Sequence, residues 1–365
     1  MYISKLIKLD LKELEILCNS ERFNSLIDLP ISIKRFKSYI NNPRKNEDSP
    51  LLNIIEEESQ VVSYLGVFQD QLFLNKETIQ IGWMSSAWTH PDFRRRKLLD
   101  SMIQEHYKDY GGYFMITNYG TASEKMFLKS GLFNIYTYLN GHRFYYRLNL
   151  SEILPPKSRF FYDIKILLEI FDKMGNFILD MRFYFYKKYK NTNIQKAEFN
   201  EELKEFISRH NQNSLFKRNV KEFKWILDYP WVEQRKEDDF TDKKYHFTTS
   251  AKRFYQKALV YREEGKIKGF LFYSVKNEIL KIHYLFVDSD SEVFSSYILD
   301  IIRQEKISLV MLTDERFIQK LKKKGGFIYS KFWKKGFFVG KKLLENYPEI
   351  TEKEIYMGDG DTVFT

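Results

Sequence analysis

Cysteine is nearly absent from this chain of 365 residues, where Cys18 is the only one. An internal disulfide is therefore excluded, and so is any cysteine-rich metal site. The six histidines show neither HxxxH nor HExxH spacing, so zinc chemistry has no footing and no metal is expected. No segment supplies the roughly 20 uninterrupted apolar residues of a membrane-spanning helix. The first ten residues, MYISKLIKLD, lack the apolar core and small-residue cleavage site of a secretory signal. A soluble, cytoplasmic protein is the expectation.

What the chain does have is apolar mass. Hydrophobic residues make up 43% and aromatics 17%, enough for well-filled cores and against disorder except at the ends. Lys and Arg exceed Asp and Glu by 59 − 49 = +10, mostly as lysine scattered along the chain. That distribution reads as a generally basic surface, and no DNA partner is expected. The length suits two domains with a connector.

One stretch combines several signals. Trp88 to Ile103 reads as a strand ending at Thr89, a boundary set by His90-Pro91, three arginines and a helix. Leu98, Leu99, Met102, Ile103, Tyr107 and Tyr110 recur at helical spacing and define one buried face over 97–110. Arg94, Arg95 and Arg96 stand at the helix N-terminus, where free amides and the macrodipole favour anions. A phosphate site is expected there.

Taken in order, residues 2–9 read as a strand, and Asp10 caps a helix of Leu11, Leu14, Ile16 and Leu17. Residues 31–41 predict a helix and 41–49 a loop. Val61–Phe68 and Leu72–Leu74 predict a hairpin turning at 69–71, and 78–89 a strand. Gly111-Gly112 ends the following helix. Tyr113–Thr117 reads as a buried strand, Asn118-Tyr119-Gly120 as a turn, and Thr121–Ser130 as a helix stopped by Gly131. Leu132–Leu139 and Arg143–Leu150 predict a hairpin about Asn140-Gly141. Pro155-Pro156 breaks the chain. Residues 159–189 then predict two helices or one kinked at Gly175, read as a connector buried between domains, with peripheral membrane contact and a partner-binding arm as the other readings. An offset of 195 aligns 97–110 with 292–305, 113–117 with 308–312, and Gly131 with Gly326, an internal duplication.

Two motifs carry a family resemblance. His90-Pro91-Asp92-Phe93-Arg94-Arg95-Arg96-Lys97-Leu98-Leu99 resembles the acyl-CoA signature of the GNAT (GCN5-related) N-acetyltransferases, roughly Pro-x-Tyr-Arg-x-x-Gly-x-Gly. Ser123 to Leu132 resembles a later helix of that family, Ala-x-x-x-Tyr-x-x-x-Gly-Phe. The resemblance implies an α/β fold of two GNAT-like domains in tandem, each a mixed, mostly antiparallel sheet flanked by helices. The expected parts are an acyl-CoA-binding domain at 1–150, a helical, aromatic-rich connector at 151–195 and a degenerate second domain at 196–365. It also implies acetyl-CoA or another acyl-CoA as co-substrate, with its pantetheine on the backbone of Ala87, Trp88 and Thr89. The pyrophosphate would lie on the run through Arg94, Arg95, Arg96, Lys97, Leu98 and Leu99.

The sequence departs from the family at three positions. Lys97 and Leu99 replace glycines, and Phe127 stands where relatives carry a proton-donating tyrosine, for which Tyr119 is the nearest substitute. His90 reads as a turn residue, and it is the nearest side chain that could serve as a base. In the second half, Val287 to Glu292 reverses the charge of the first, which argues against CoA there. Asp288, Asp290 and Glu292 are read as helix capping rather than a cation loop. Trp225 to Trp231 is read as core packing, and the tail Gly358–Phe364 as either site lining or a loose end. The expected activity is transfer of an acyl group to an amine of a small molecule or amino sugar. The alternatives are a non-catalytic ligand- or partner-binding protein and a Fem-type aminoacyltransferase using aminoacyl-tRNA.

Overall fold

The computed structural model describes residues 4–74, 77–117, 119–184, 193–235, 244–288 and 292–365, with backbone alone at 122, 183 and 184. Asn118 of the expected turn, Asp290 of the acidic run and the 185–189 end of the aromatic segment lie outside them.

The chain opens with β1 (Lys5–Leu9), α1 (Leu11–Cys18), α2 (Glu21–Ser25) and α3 (Ile33–Ile40). Then come β2 (Leu52–Glu57), β3 (Gln60–Leu74), β4 (Glu77–Thr89), α4 (Leu98–Asp109), β5 (Phe114–Ile116), α5 (Thr121–Ser130) and β6 (Phe133–Tyr145). Three helices follow, α6 (Leu150–Ile153), α7 (Arg159–Asp163) and α8 (Lys165–Tyr184). Next are β7 (Ile194–Lys196), α9 (Glu201–His210), α10 (Val220–Asp228), β8 (Glu233–Gln234) and β9 (Ser250–Ala251). The last part holds β10 (Phe254–Glu263), β11 (Lys266–Lys276), β12 (Ile279–Val287), α11 (Glu292–Gln304), β13 (Leu309–Leu312), α12 (Glu315–Lys324), β14 (Tyr329–Gly340) and α13 (Lys341–Asn346).

Chain contacts gather these elements into two compact units, 1–139 with 199–254 and 335–365, and 140–198 with 255–334. Both are discontinuous, so they cut across the three continuous segments expected from chain order. In the first unit the strands run β1-β2-β3-β4-β5-β14. Neighbouring strands pair antiparallel except β4 and β5, which are parallel over Gly82–Trp83 and Phe114–Met115. The second unit runs β6-β13-β12-β11-β10-β7, again with one parallel pair, β12 with β13. Strand-strand-helix-strand-helix order thus recurs, with α4 and α5 matched by α11 and α12 at the 195-residue offset. The last strand of each series, β6 or β14, changes unit midway.

Each core follows from the alternation of its strands. In the first unit Val67, Met84, Phe114 and Ile116 meet Met102, Ile103 and Tyr107 of α4 and Phe127 of α5. In the second, Leu271, Leu280 and Val310 meet Ile298 and Ile302 of α11 and Phe317 and Leu321 of α12. Burying each such side chain contributes roughly 1.5–3 kcal/mol.

Two expected hairpins are instead continuous strands. β3 passes through 69–71, where Asp70 is wholly buried. Its carboxylate accepts from Arg44 at 2.8 Å, Arg218 at 2.7 Å and Trp83 Nε1 at 3.2 Å. A polar residue taken for a turn signal is therefore a saturated core anion. The actual tight turn lies at Glu58-Ser59, both at positive φ, between β2 and β3. β6 likewise runs straight through Asn140-Gly141. Gly141 serves close packing, because a Cβ there would stand 2.6 Å from Leu312 O and from the Trp333 ring.

The long aromatic segment also differs from expectation. α8 continues through Gly175, which lets the helix lie against Leu148, where a Cβ would meet Leu148 Cδ1 at 2.4 Å. Its outer apolar side chains are exposed rather than buried as a connector between domains would be. Trp225 and Trp231 are core residues, as expected. The tail is packed too, with Phe364 stacked on Trp231 at 4.6 Å.

Candidate active site

β4 is built to open at its C-terminal end. Beyond Trp83 its register continues with β3 alone, so β4 and β5 part there. The register slips between Tyr64 and Gly66, and Ser86, at φ 58, takes up the extra length as a bulge. The Trp88 carbonyl accepts from Ser63 Oγ at 2.9 Å, and the His90 amide donates to Val62 O at 2.9 Å. With those two facing β3, the alternation of an antiparallel strand turns the peptide groups of Ala87 to the open side. The Trp88 ring stacks on His246 at 4.1 Å and Tyr64 at 5.3 Å, which fixes this end of the strand.

The connection to α4 is a short 3-10 turn, Pro91–Phe93, whose Asp92 amide donates to His90 Nδ1 at 3.4 Å. His90 is thus a turn-capping residue, packed edge-on against Trp88 and Phe93. Arg95 and Lys97 then adopt positive φ, 68 and 59, and Lys97 is the N-cap of α4 without a side-chain cap. Among the described residues, nothing accepts from the amides of Arg95, Arg96, Lys97, Leu98, Leu99 and Asp100. Left-handed residues flanking a helix N-terminus turn successive N–H groups inward, an arrangement that cradles anions. The left-handed backbone falls on Arg95 and Lys97. Leu99 is regular helix and needs no glycine.

The three arginines divide their work. Arg96 is committed to Glu57, at 2.6 and 3.1 Å, with its guanidinium over the Phe93 ring. Bonds from Ser4 and Arg96 hold the Glu57 carboxyl below the usual carboxylate range. Arg94 reaches back to Thr89 O at 3.4 Å, and Arg95 is exposed. Between α4 and α5 lies a cleft of about 460 Å³ lined by Lys97, Asp100, Gln104, Lys125, Lys129 and Ser130 among others. Lys125 and Lys129 escaped the sequence reading, because only the packing of α5 beside α4 brings them to Lys97.

Phe127 is core, against Phe133 and Phe338, and cannot face a ligand. Tyr119 is half-buried; its hydroxyl donates to Gly336 O at 2.7 Å, and burial pushes it up to about 12. On the face of β4 opposite Met84 lies a second polar cluster that the sequence did not reveal. Arg35 donates to Ser85 Oγ at 2.9 Å and to Ser86 Oγ, and its guanidinium lies over Trp231. Ser85 donates in turn to Asp361 Oδ2 at 2.7 Å. Asp361 is 6% exposed, and its Oδ1 has no partner among the described residues. Burial pulls the nearby Lys335 ammonium below its usual range, and Asp361 opposes that fall.

In the second unit the equivalent of the cradle at the 195-residue offset, 290–292, lies outside the described residues apart from Glu292. Glu292, in the first turn of α11, is bound by Lys324 and Lys320, and no group of residues suited to a metal occurs among the described ones.

This arrangement belongs to a known architecture. Over 92% of its length the chain is similar to a conserved protein of unknown function from Enterococcus faecalis V583 described as a "Probable N-Acyltransferase", at 9% identity, 72% of that chain and a TM-score of 0.50. It is similar over the same share to the N-myristoyltransferase of Saccharomyces cerevisiae with bound myristoyl-CoA, at 10% identity, 79% of that chain and a TM-score of 0.50. The chain shares the fold of these two proteins, and its own sheet is mixed and mostly antiparallel, flanked by helices. No protein-family model matches the sequence, and no curated protein matches it.

Proposed function

We propose that the protein is an acyl-CoA-dependent N-acyltransferase, moving an acetyl or other acyl group from CoA to an amine of a small molecule or amino sugar. The observation that carries this reading is the run of unpartnered amides from Arg95 to Asp100, opening on a lysine-lined cleft just past the parting of β4 and β5. Those amides, with Arg94, Arg95 and Lys97, would take the pyrophosphate of CoA. Arg96 would brace the loop through Glu57. Lys125 and Lys129 suit the remaining phosphate, and the open edge at Ala87–Thr89 suits an amide-bearing pantetheine arm.

The reaction forms a C–N bond at the thioester carbonyl, breaks C–S, and moves one proton from the amine to the departing thiolate. Holding the amine against the thioester accounts for much of such a rate. Asp361 Oδ1, buried and unbonded on the other face of β4, suits an acceptor ammonium. The two halves would then be a CoA-binding domain and a degenerate partner.

Phe127 favours one other reading, a ligand-binding protein without turnover, since the family's proton donor is missing. CoA release from acetyl-CoA over a panel of amino sugars, amino acids and polyamines separates the two. Amine-dependent thiol release that Lys97→Glu with Lys125→Glu abolishes supports the enzyme. Binding of acetyl-CoA with no release for any amine supports the other reading.

A further inference from the structure

The second unit leaves one helix face uncovered. α8 is held along one side only. Asp172 accepts from the amides of Leu150 at 2.9 Å and Ser151 at 2.8 Å, and Asn176 exchanges bonds with Leu148 N and O at 2.7 and 2.9 Å. Leu168, Asp172 and Asn176 recur every fourth position and mark the buried stripe. The opposite stripe carries Ile166, Ile170, Phe171, Met174, Phe177 and Ile178, each between 48 and 73% exposed. No charged or polar residue interrupts it. α7 extends the same character with Phe160 and Tyr162, at 63 and 69%. A water-facing helix normally shows the reverse pattern, so an apolar patch this continuous implies something that covers it.

We propose that α7 and α8 form an in-plane membrane anchor, with the outer face of α8 seated in the acyl-chain boundary of an anionic lipid surface. No described helix is long and apolar enough to cross a membrane, so α8 would lie along it. Charge selects the occupant. From 157 to 190 the sequence carries Lys157, Arg159, Lys165, Lys173, Arg182, Lys187, Lys188 and Lys190 against Asp163, Glu169, Asp172 and Asp180, or 8 − 4 = +4. The last three lysines lie outside the described residues and enter by sequence alone. Asp172 is already spent on backbone amides and Asp180 on Arg147, while Lys165 pairs with Glu152, so the segment keeps a basic excess. An apolar stripe on a segment of basic excess matches anionic headgroups over acyl chains. A second copy would set two segments of like charge against each other.

The test is flotation of the full chain with vesicles of phosphatidylcholine containing phosphatidylglycerol, and with phosphatidylcholine alone. The wild type is expected to float with the anionic vesicles. The variant Phe171→Gln/Met174→Gln/Phe177→Gln is expected to lose roughly ten-fold or more of that partitioning with its melting temperature and circular dichroism unchanged, since all three side chains are exposed. A wild type that stays unbound, or a variant that floats equally, overturns the proposal. So does a stable dimer that the triple variant makes monomeric, which would show that a second copy covers the face.

Discussion

His106 gives the fold a measurable acid weakness at the helix that carries the candidate site. Its ring is wholly buried on the inner side of α4; Nε2 meets Leu65 O at 3.1 Å, and Nδ1 has no partner among the described residues. A proton at Nε2 suits this setting, whereas a second at Nδ1 would be buried without an acceptor. Burial therefore pulls the imidazole down to about 4. In the unfolded chain it titrates near pH 6.5, so between those values the unfolded state binds more protons, and stability falls as the pH falls. Integrating one such site between pH 7 and pH 5 gives a loss of about 2 kcal/mol. His106→Gln keeps a donor for Leu65 O and removes the titration. In urea unfolding, the wild type should lose about 2 kcal/mol more than this variant over that pH range. Equal losses in the two proteins would refute the reasoning.

Lys97→Gly relieves a left-handed residue that no side-chain cap supports, and should raise stability by about 0.5–1 kcal/mol in urea unfolding while weakening CoA binding by the loss of one charge. A destabilised variant would contradict the assigned backbone. Asp70→Asn leaves Arg44 and Arg218 buried with a weakened partner and should cost about 3–5 kcal/mol; a loss under about 1 kcal/mol would count against the network. Burial alone would raise the Asp70 carboxyl, but Arg218 and Arg44 more than offset it and the net shift is downward. Its contribution is thus present above the usual carboxylate range and lost as the pH falls below it, so the wild type and Asp70→Asn should converge in acid.

Local signals carried the helices well. Asp10 caps α1 in a capping box with Glu13, Gly131 closes α5 in the left-handed conformation, and the apolar spacing of α4 is the buried face observed. Turn chemistry misled where long-range contacts prevailed. Gln69-Asp70-Gln71 and Asn140-Gly141 carry polar and glycine residues for partners distant in sequence, Arg218 in one case and Leu312 with Trp333 in the other. The site was half legible for the same reason. A helix start rich in arginine is a local pattern, while the lysines of α5 and the Arg35–Ser85–Asp361 chain assemble only when separate segments pack. Positive φ at Lys97 was signalled by the glycine that the resembled signature carries there, whereas positive φ at Arg95 had no such signal. The apolar composition of 159–184 was plain, but which side of α8 faces solvent depended on Asp172, Gly175 and Asn176.

The central claim is that the N-terminus of α4 holds acyl-CoA. Isothermal titration calorimetry of the full chain with acetyl-CoA, on the wild type and on Arg95→Glu/Lys97→Glu, tests it most directly. Saturable one-site binding that weakens with salt and falls roughly ten-fold or more in the charge-reversed protein is the predicted result. No binding at millimolar acetyl-CoA, or equal affinity in both proteins, would contradict it.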